Sequence, residues 1–326
     1  MTRLCRSITV ALIGMQCIGF AHAQGRETYP SRPVRMIIPA APGGNPDVLA
    51  RMLAQKLAEA FGRPFVVENM PGAGGVVAAE AVVKTAADGH VLFLGDSGAL
   101  AINVAVNPNI SFHPLRDFTL ITALVSVPTV LVVNPAVPAA SLQEFVALAK
   151  SKPGQLAFGS AGNGSIHHLT MAIFASRADI DLLHVPYKGG TALVAAVLSG
   201  EVQSGWSGIP NVLQAIKAGR LRVLCISTLK RSGSVPEVPT AAELGFTGFN
   251  VATTIGLQAA AGVPADIVAR LQAGFAKALR QPEIAERMAN LGMELAESGT
   301  ESYVRYVRED LERYAAAVKL LGGKVQ

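Results

Sequence analysis

Four stretches of this chain share a design suited to holding an anion. They are Pro39-Ala40-Ala41-Pro42-Gly43-Gly44-Asn45-Pro46-Asp47, Pro71-Gly72-Ala73-Gly74-Gly75, Gly159-Ser160-Ala161-Gly162-Asn163-Gly164-Ser165 and Pro186-Tyr187-Lys188-Gly189-Gly190. Each follows a short apolar run and precedes a helical pattern. The first turn of a helix offers amides with no intrahelical acceptor and a partial positive charge, which favours an anion there. Glycine lets the backbone come close and take positive φ. In open α/β sheets ligands bind outside the carboxyl ends of strands, where these loops fall. Asn45 and Asp47 keep two roles open. Asn45 suits an N-cap with Pro46 at the first helical position, and Asp47 complements the helix dipole. Either could instead meet a ligand, Asp47 only one that carries an ammonium or hydroxyl.

Other chemistry finds less support. His167, His168 and His184 raise the possibility of zinc, but no carboxylate or cysteine accompanies them at a familiar spacing. Adjacent helical residues also point about 100° apart, so His168 reads better as a cap or ligand donor than as a metal ligand. Gly72-Ala73-Gly74-Gly75-Val76-Val77 resembles a dinucleotide fingerprint, yet Val77 stands where glycine or alanine is wanted. Gly162-Asn163-Gly164-Ser165-Ile166 fails the nucleophile-elbow pattern. No Walker motif, paired-carboxylate or Ser/His/Asp set emerges. The reading is therefore binding without catalysis, with no cofactor and no metal.

The elements that carry these loops alternate strand and helix. Val34–Ile38, Phe65–Asn69 and Val91–Leu94 read as strands, with helices over 46–60 and 76–85. A second unit repeats the scheme, with strands Thr129–Val133, Leu156–Gly159, Leu182–Pro186, Val202–Trp206 and Leu221–Ser227. Such alternation predicts α/β units with largely parallel sheets. Ser141-x-x-Glu144 and Ser298-x-x-Glu301 have capping-box form. The end of the chain reads as helices from Pro264, from Pro282 and up to about Leu321. No linker of low complexity separates the units, so crossing strands must join them, at Thr122–Val133 and after Cys225.

The start of the chain sets the compartment. Arg3 and Arg6 precede an apolar stretch, Ile8–Phe20, too short to stay in a bilayer as a helix, and Ala21-His22-Ala23 has the form a signal peptidase reads. Residues 1–23 are expected to be a cleaved signal peptide. Gln16 before Cys17 does not suit a lipid anchor. Cys5 and Cys17 leave with this segment, so Cys225 remains alone and no intramolecular disulfide forms. Half of the 326 residues are apolar and the net charge is +5, with basic residues scattered rather than striped. That pattern argues against a nucleic-acid surface and for two lobes with their own cores.

In order along the chain stand Tyr29-Pro30-x-Arg32-Pro33-Val34, Ile38-Pro39-Ala40-Ala41-Pro42-Gly43-Gly44 with Asp47 and Arg51, and Val66-Val67-Glu68-Asn69-Met70-Pro71-Gly72-Ala73-Gly74-Gly75. Asp88-Gly89-His90-Val91-Leu92, Gly159 to Leu169, His184 to Gly190 and Pro236-Glu237-Val238-Pro239-Thr240 follow. The series resembles the Bug-type receptors of tripartite tricarboxylate transporters over essentially the whole chain after residue 23. The resemblance implies a two-lobed periplasmic binding protein of type II fold, each lobe a mixed, mainly parallel sheet flanked by helices. Lobe 1 is expected over 24–126 and 227–326, and lobe 2 over 127–226. It implies a small-molecule carboxylate held in the interlobe cleft by loop amides and small side chains. Carried over, the candidate contacts are Ala41, Pro42, Gly43, Gly44, Asn45, Asp47, Gly72, Ala73, Gly74 and Ser97 from lobe 1. Lobe 2 gives Ser160, Ala161, Gly164, Ser165, His168, Lys188 and Gly189. The expected partners are the membrane subunits of such a transporter or, alternatively, a sensor protein, with the receptor itself monomeric; an exported hydrolase is the remaining rival. Ala40, Asn45-Pro46 and Thr254 depart from the family pattern, which implies a reshaped cleft and a bulkier or aromatic acid.

Overall fold

The computed structural model describes residues 29–43, 45–323 and 325. The expected signal peptide, Gly44 and the side chain of Asn45 lie outside the described residues. The first strand–helix run is β1 (Val34–Ile38), α1 (Asn45–Phe61), β2 (Phe65–Asn69), a tight turn at Ala73–Gly75, α2 (Val76–Val83) and β3 (Val91–Asp96). A π-helical turn at Gly98–Ile102 and the short α3 (Asn103–Val106) and α4 (Pro114–Asp117) lead into β4 (Phe118–Val133). The second run is α5 (Leu142–Ser151), β5 (Ala157–Ser160), α6 (Ile166–Ala178), β6 (Leu183–Pro186), α7 (Gly190–Ser199), β7 (Ser204–Gly208), α8 (Ile209–Lys217) and β8 (Arg222–Ile226). The chain then returns through β9 (Ala252–Ala260), α9 (Ala265–Leu279), α10 (Pro282–Asn290), β10 (Glu294–Leu295) and α11 (Thr300–Leu320).

Two mixed sheets share one strand. In the first the order is β2-β1-β3-β9-β4, with β10 on the free edge of β4; in the second, β7, β5 and β6 follow β4, and β8 also pairs with it. β1 and β3 are largely apolar because both sheet faces are covered there: Val34, Met36, Ile37 and Ile38 of β1 are all buried, whereas the edge strand β2 exposes Val66 and ends in Glu68-Asn69. β4 runs through both sheets. Phe118 to Pro128 pair with β9, and Thr129 to Val133 pair with β7. Pro128, which has no amide to donate, sits at this seam, where the ladder changes partner.

Of β4 the sequence predicts Thr129–Val133 as a strand and Thr122–Val133 as a crossing; the strand at 252–260 and the helix at 209–217 are not among the expected elements. A further correction concerns α11. Its N-cap is Gly299, at φ 120°, without a side-chain cap; Thr300 Oγ1 instead donates to Ile121 O at 2.9 Å, so the expected capping box at Ser298 does not form. The box at Ser141 does cap α5, through Glu144 N to Ser141 Oγ at 3.2 Å, and Glu144 reaches back to Ala140 N at 2.6 Å.

Each sheet has a core on both faces. Leu49, Leu53 and Leu57 of α1 pack with Leu271 and Phe275 of α9 on one face of the first sheet, and Ala78, Phe93 and Tyr303 on the other. Phe145, Phe174 and Trp206 fill one face of the second, Leu193, Val197 and Val212 the other. α11 joins the halves, with Tyr303 and Val307 in a first-sheet core and Tyr314 and Ala317 in a second-sheet core. The crossings are tied together by Ser227. Its Oγ accepts from Thr129 N at 3.2 Å, hydrogen-bonds Thr129 Oγ1 at 2.8 Å and donates to Val251 O.

Candidate functional site

Strand registers decide where the loops point. β1, β2 and β3 are parallel, and β4 runs with them, since both β3 and β4 are antiparallel to β9. β7 runs against β4, and β5 and β6 run with β7. The carboxyl ends of the two strand sets therefore face each other along β4. Asp96, the end of β3, is level with Ile255 and so with Val125, whereas Gly208, the end of β7, pairs with Thr129. Four residues of strand separate these levels, about 13 Å at 3.3 Å per residue. The rims also meet at one side: a Cβ at Gly164 would lie 3.3 Å from Val106 of α3.

On the first rim the β1–α1 loop is fixed by a polar knot. Asp47, buried at 3% exposure, accepts from Gly43 N at 2.8 Å, from Arg51 Nε at 3.0 Å and from Asn69 Nδ2 at 2.9 Å. Asn69 Nδ2 also donates to Ala40 O at 3.0 Å. The Arg51 bond, reinforced by Gly43 and Asn69, holds the carboxyl down to about 2. Asp47 thus spends its oxygens on the loop that carries Ala41, Pro42 and Gly43, all three exposed. The turn after β2 takes positive φ at four successive residues, Gly72, Ala73, Gly74 and Gly75. Successive amides in such a turn converge into an anion-binding nest. Asn103, at the start of α3, donates to Gly74 O at 2.8 Å and braces it. Ser97 is placed differently: buried, it accepts from Thr254 N at 3.1 Å and so faces the crossing strand β9.

On the second rim Ser165 caps α6, accepting from His168 N at 3.4 Å and donating to Gly162 O at 2.7 Å. Ser160 Oγ accepts from Gly162 N at 3.2 Å and bonds His184 Nε2 at 2.7 Å. Gly164 N is spent on His168 Nδ1 at 3.2 Å. Among the described residues no acceptor takes the amides of Gly72, Ala161, Asn163 or Lys188. Lys188 is exposed and has no ion pair among those residues. Gly189, at φ 97°, caps α7 with no side chain.

The structure adds two residues that the sequence reading passed over. Asn103 is one. The other is Asn211, exposed in the first turn of α8, whose Nδ2 would come within 3.2 Å of a Cβ at Gly190. The strand-end rule, applied to all three parallel strands of the second sheet, would have marked Gly208-Ile209-Pro210-Asn211 as a third loop there. Thr254 does not line this rim but a cavity of about 500 Å³ with Ser126, Lys230, Asp310 and Arg313 on the α11 side of the crossing. Ala40 and Asn45-Pro46, at the two ends of the β1–α1 loop, therefore are the departures from the family pattern that fall on the first rim. The three histidines do not converge on a point. The rings of His168 and His184 stack face to face at 3.8 Å, which directs their nitrogen lone pairs along parallel planes, and burial lowers His167 to about 4. Burial also raises the Cys225 thiol, so it stays protonated.

Comparison with known proteins places this architecture. Residues 49–322 match the model of the tripartite tricarboxylate transporter family receptor. Protein BugT of Bordetella pertussis is 35% identical over 327 residues, covering 100% of this chain and 99% of that protein. MatC from Rhodopseudomonas palustris, solved with bound malate, superposes with a TM-score of 0.75 at 32% identity, covering 89% of this chain and 100% of that one. A second R. palustris protein, solved with adipate, gives a TM-score of 0.78 at 30% identity, covering 90% and 98%.

Proposed function

Because the chain belongs to the tripartite tricarboxylate transporter receptor family, we propose that it captures a small carboxylate between two lobes and delivers it to the membrane subunits of a transporter. The observation that carries this reading is the facing of the two sets of strand ends, about 13 Å apart along β4. That gap suits a small organic acid, and the loops on both sides present amides rather than reactive side chains. The lobes are 24–126 with 227–326, and 127–226; the shared strand β4 and the segment after β8 serve as hinge. The chain acts as a monomer in the periplasm, exported by the signal peptide at 1–23 and without a lipid anchor.

The ligand contacts are the exposed turn Ala41–Gly43, Gly72, Ala73 and Gly74 on one side. Ala161, the Ser165 end of α6, Lys188 and Gly189 face them. Amide-to-carboxylate bonds contribute about 1.5–3 kcal/mol each, so four of them reach the roughly 8 kcal/mol of a micromolar complex before ordering costs. Closure expels water and strengthens each bond. The one Ser–His contact described on these rims joins Ser160 Oγ to His184 Nε2 at 2.7 Å. Ser160 is fully buried and its hydroxyl also donates to Gly162 O at 3.0 Å, so we read the contact as a loop fastening rather than a nucleophile and its base, and the ligand leaves unchanged. Malate and adipate, held by the two solved relatives, define the class. The small Ala40 leaves room for a bulkier or aromatic body.

Calorimetric titration of the purified chain with malate, adipate and benzoate, each beside its neutral amide, tests this reading. The expected result is one-to-one binding of at least one acid, preference for the larger acids and recovery of the acid intact. Equal binding of acid and amide refutes the carboxylate site, and turnover of the bound acid refutes a pure receptor.

A further inference from the structure

Beneath the second rim two imidazoles are stacked. His168 of α6 and His184 of β6 lie with ring centroids 3.8 Å apart and planes 14° from parallel, and the Phe158 ring of β5 lies beside both, 4.8 Å from His184 and 6.2 Å from His168. Each ring holds one end of the loop that joins β5 to α6. Ser160, at the start of the loop, bonds His184 Nε2 at 2.7 Å, and Gly164, near its end, donates its amide to His168 Nδ1 at 3.2 Å.

The second bond fixes a protonation state. A backbone N–H can only donate, so Nδ1 of His168 must be bare and the ring neutral with its hydrogen on Nε2. A proton on Nδ1 would set N–H against N–H and eject Gly164 from its left-handed turn, at φ 67°. Ala161 and Asn163, whose amides have no acceptor among the described residues, lie between the two fastened points.

The surroundings offer little to a charged pair. Phe158 of β5, Met171 and Ala172 of α6, Leu182 beside β6, and Leu320 and Leu321 at the end of α11 line the adjoining hollow, with Asp181 as the one carboxylate among its lining residues. His167, next in the chain, is itself kept neutral by burial. Burial lowers His168. Burial and then the charge of His168 lower His184 to about 4.

We propose that His168 and His184 are positioning residues for the ligand loop: neutral and stacked, they aim the Ala161 and Asn163 amides at the carboxylate, and protonation of the pair releases the loop and its ligand. The inference rests on the carboxylate reading of the rim but makes a claim that reading does not. If the neutral pair is the binding-competent form, linkage requires that bound acid disfavour its protonation. If the pair were simply a cationic partner for the acid, bound acid would favour it.

The test is nitrogen-detected NMR of the imidazoles in the full chain, with adipate and malate as probes. At about pH 7.5 the His168 ring is expected as the Nε2–H tautomer. The Gly164 amide resonance should follow the titration of His168, and saturating acid should move that titration to lower pH. His168→Asn keeps an oxygen where Nδ1 stood, so it should bind within a few-fold of wild type at about pH 7.5. From there to the acid side of the His168 titration the wild type should lose up to about tenfold more affinity than this variant, the worth of one neutral hydrogen bond. His168→Phe, which fills the stack without an acceptor, should bind weakly at both values. Protonated Nδ1 at about pH 7.5, an upward shift with acid, or identical pH curves for wild type and His168→Asn would each overturn the proposal. If neither acid binds, the tautomer and Gly164 readouts still decide the loop's attachment, and the failure then belongs to the carboxylate reading.

Discussion

Replacing Asp47 with Asn separates the two roles that its position allows. The side chain is almost fully buried and its carboxylate joins Gly43, Arg51 and Asn69. Its pKa falls from 3.8 to about 2, chiefly through Arg51. At 1.36 kcal/mol per unit that difference corresponds to about 2 kcal/mol. The Arg51 side chain is 54% exposed, so solvent screening brings the figure nearer to about 1 kcal/mol. The sign follows from the depressed value. The stabilisation is present above the unfolded carboxyl's pKa and is lost as pH falls from there toward about 2. Asp47→Asn should therefore lower the melting temperature at neutral pH by about 2–4 °C, from a loss of about 1 kcal/mol. It should also flatten the acid limb of the stability profile and weaken acid binding through a looser Ala41–Gly43 turn. The assay is thermal unfolding across the acid range, without ligand. Unchanged melting and an unchanged acid limb, accompanied by lost affinity, would refute the reasoning and make Asp47 a direct ligand contact.

Three further outcomes are open to measurement. Gly74→Val places a β-branched residue at φ 62° and a Cβ 3.1 Å from Asn103 Oδ1; titration should show binding of adipate or malate lost, and denaturant unfolding a cost of about 1–3 kcal/mol. Ser227→Ala leaves Thr129 N and Val251 O without their shared partner where the crossings meet; stability should fall by about 1–3 kcal/mol in denaturant titration. Ser165→Ala removes the cap of α6, so it should cost about 1 kcal/mol of stability and weaken acid binding, as read by calorimetry beside unfolding.

Much of this arrangement is legible in the chain itself. The short runs at Val34–Ile38, Phe65–Asn69 and Val91–Leu94 become the parallel strands β1 to β3, and the most buried of them, β3, is the most continuously apolar, as cover on both faces requires. The glycine-rich loops fall at strand ends because close approach and positive φ have no cheaper residue. What local pattern conceals is pairing. Thr122 to Val133 is legible as a crossing, but the division of the strand between β9 and β7 and the seam at Pro128 are not. β9, Ala252–Ala260, is rich in alanine and glycine, so propensity argues against a strand that its neighbours β3 and β4 impose. Within the site, the loops are visible in sequence but the allotment of their donors is not. Gly164 and Ser165 have the residue types of ligand contacts, yet Gly164 N serves His168 and Ser165 Oγ serves the loop itself. Asp47 and Ser97 are likewise near the rim but turned to loop and crossing strand.

A crystal structure of the chain with adipate or malate, grown near neutral pH, tests the central claim most directly. Carboxylate oxygens within hydrogen-bonding distance of amides in the Gly72–Gly74 turn and in the Ala161–Ser165 and Lys188–Gly189 loops are the expected result, with both lobes in contact with one molecule. An acid bound wholly to one lobe, or seated in the cavity beside Ser126 and Arg313, would contradict it.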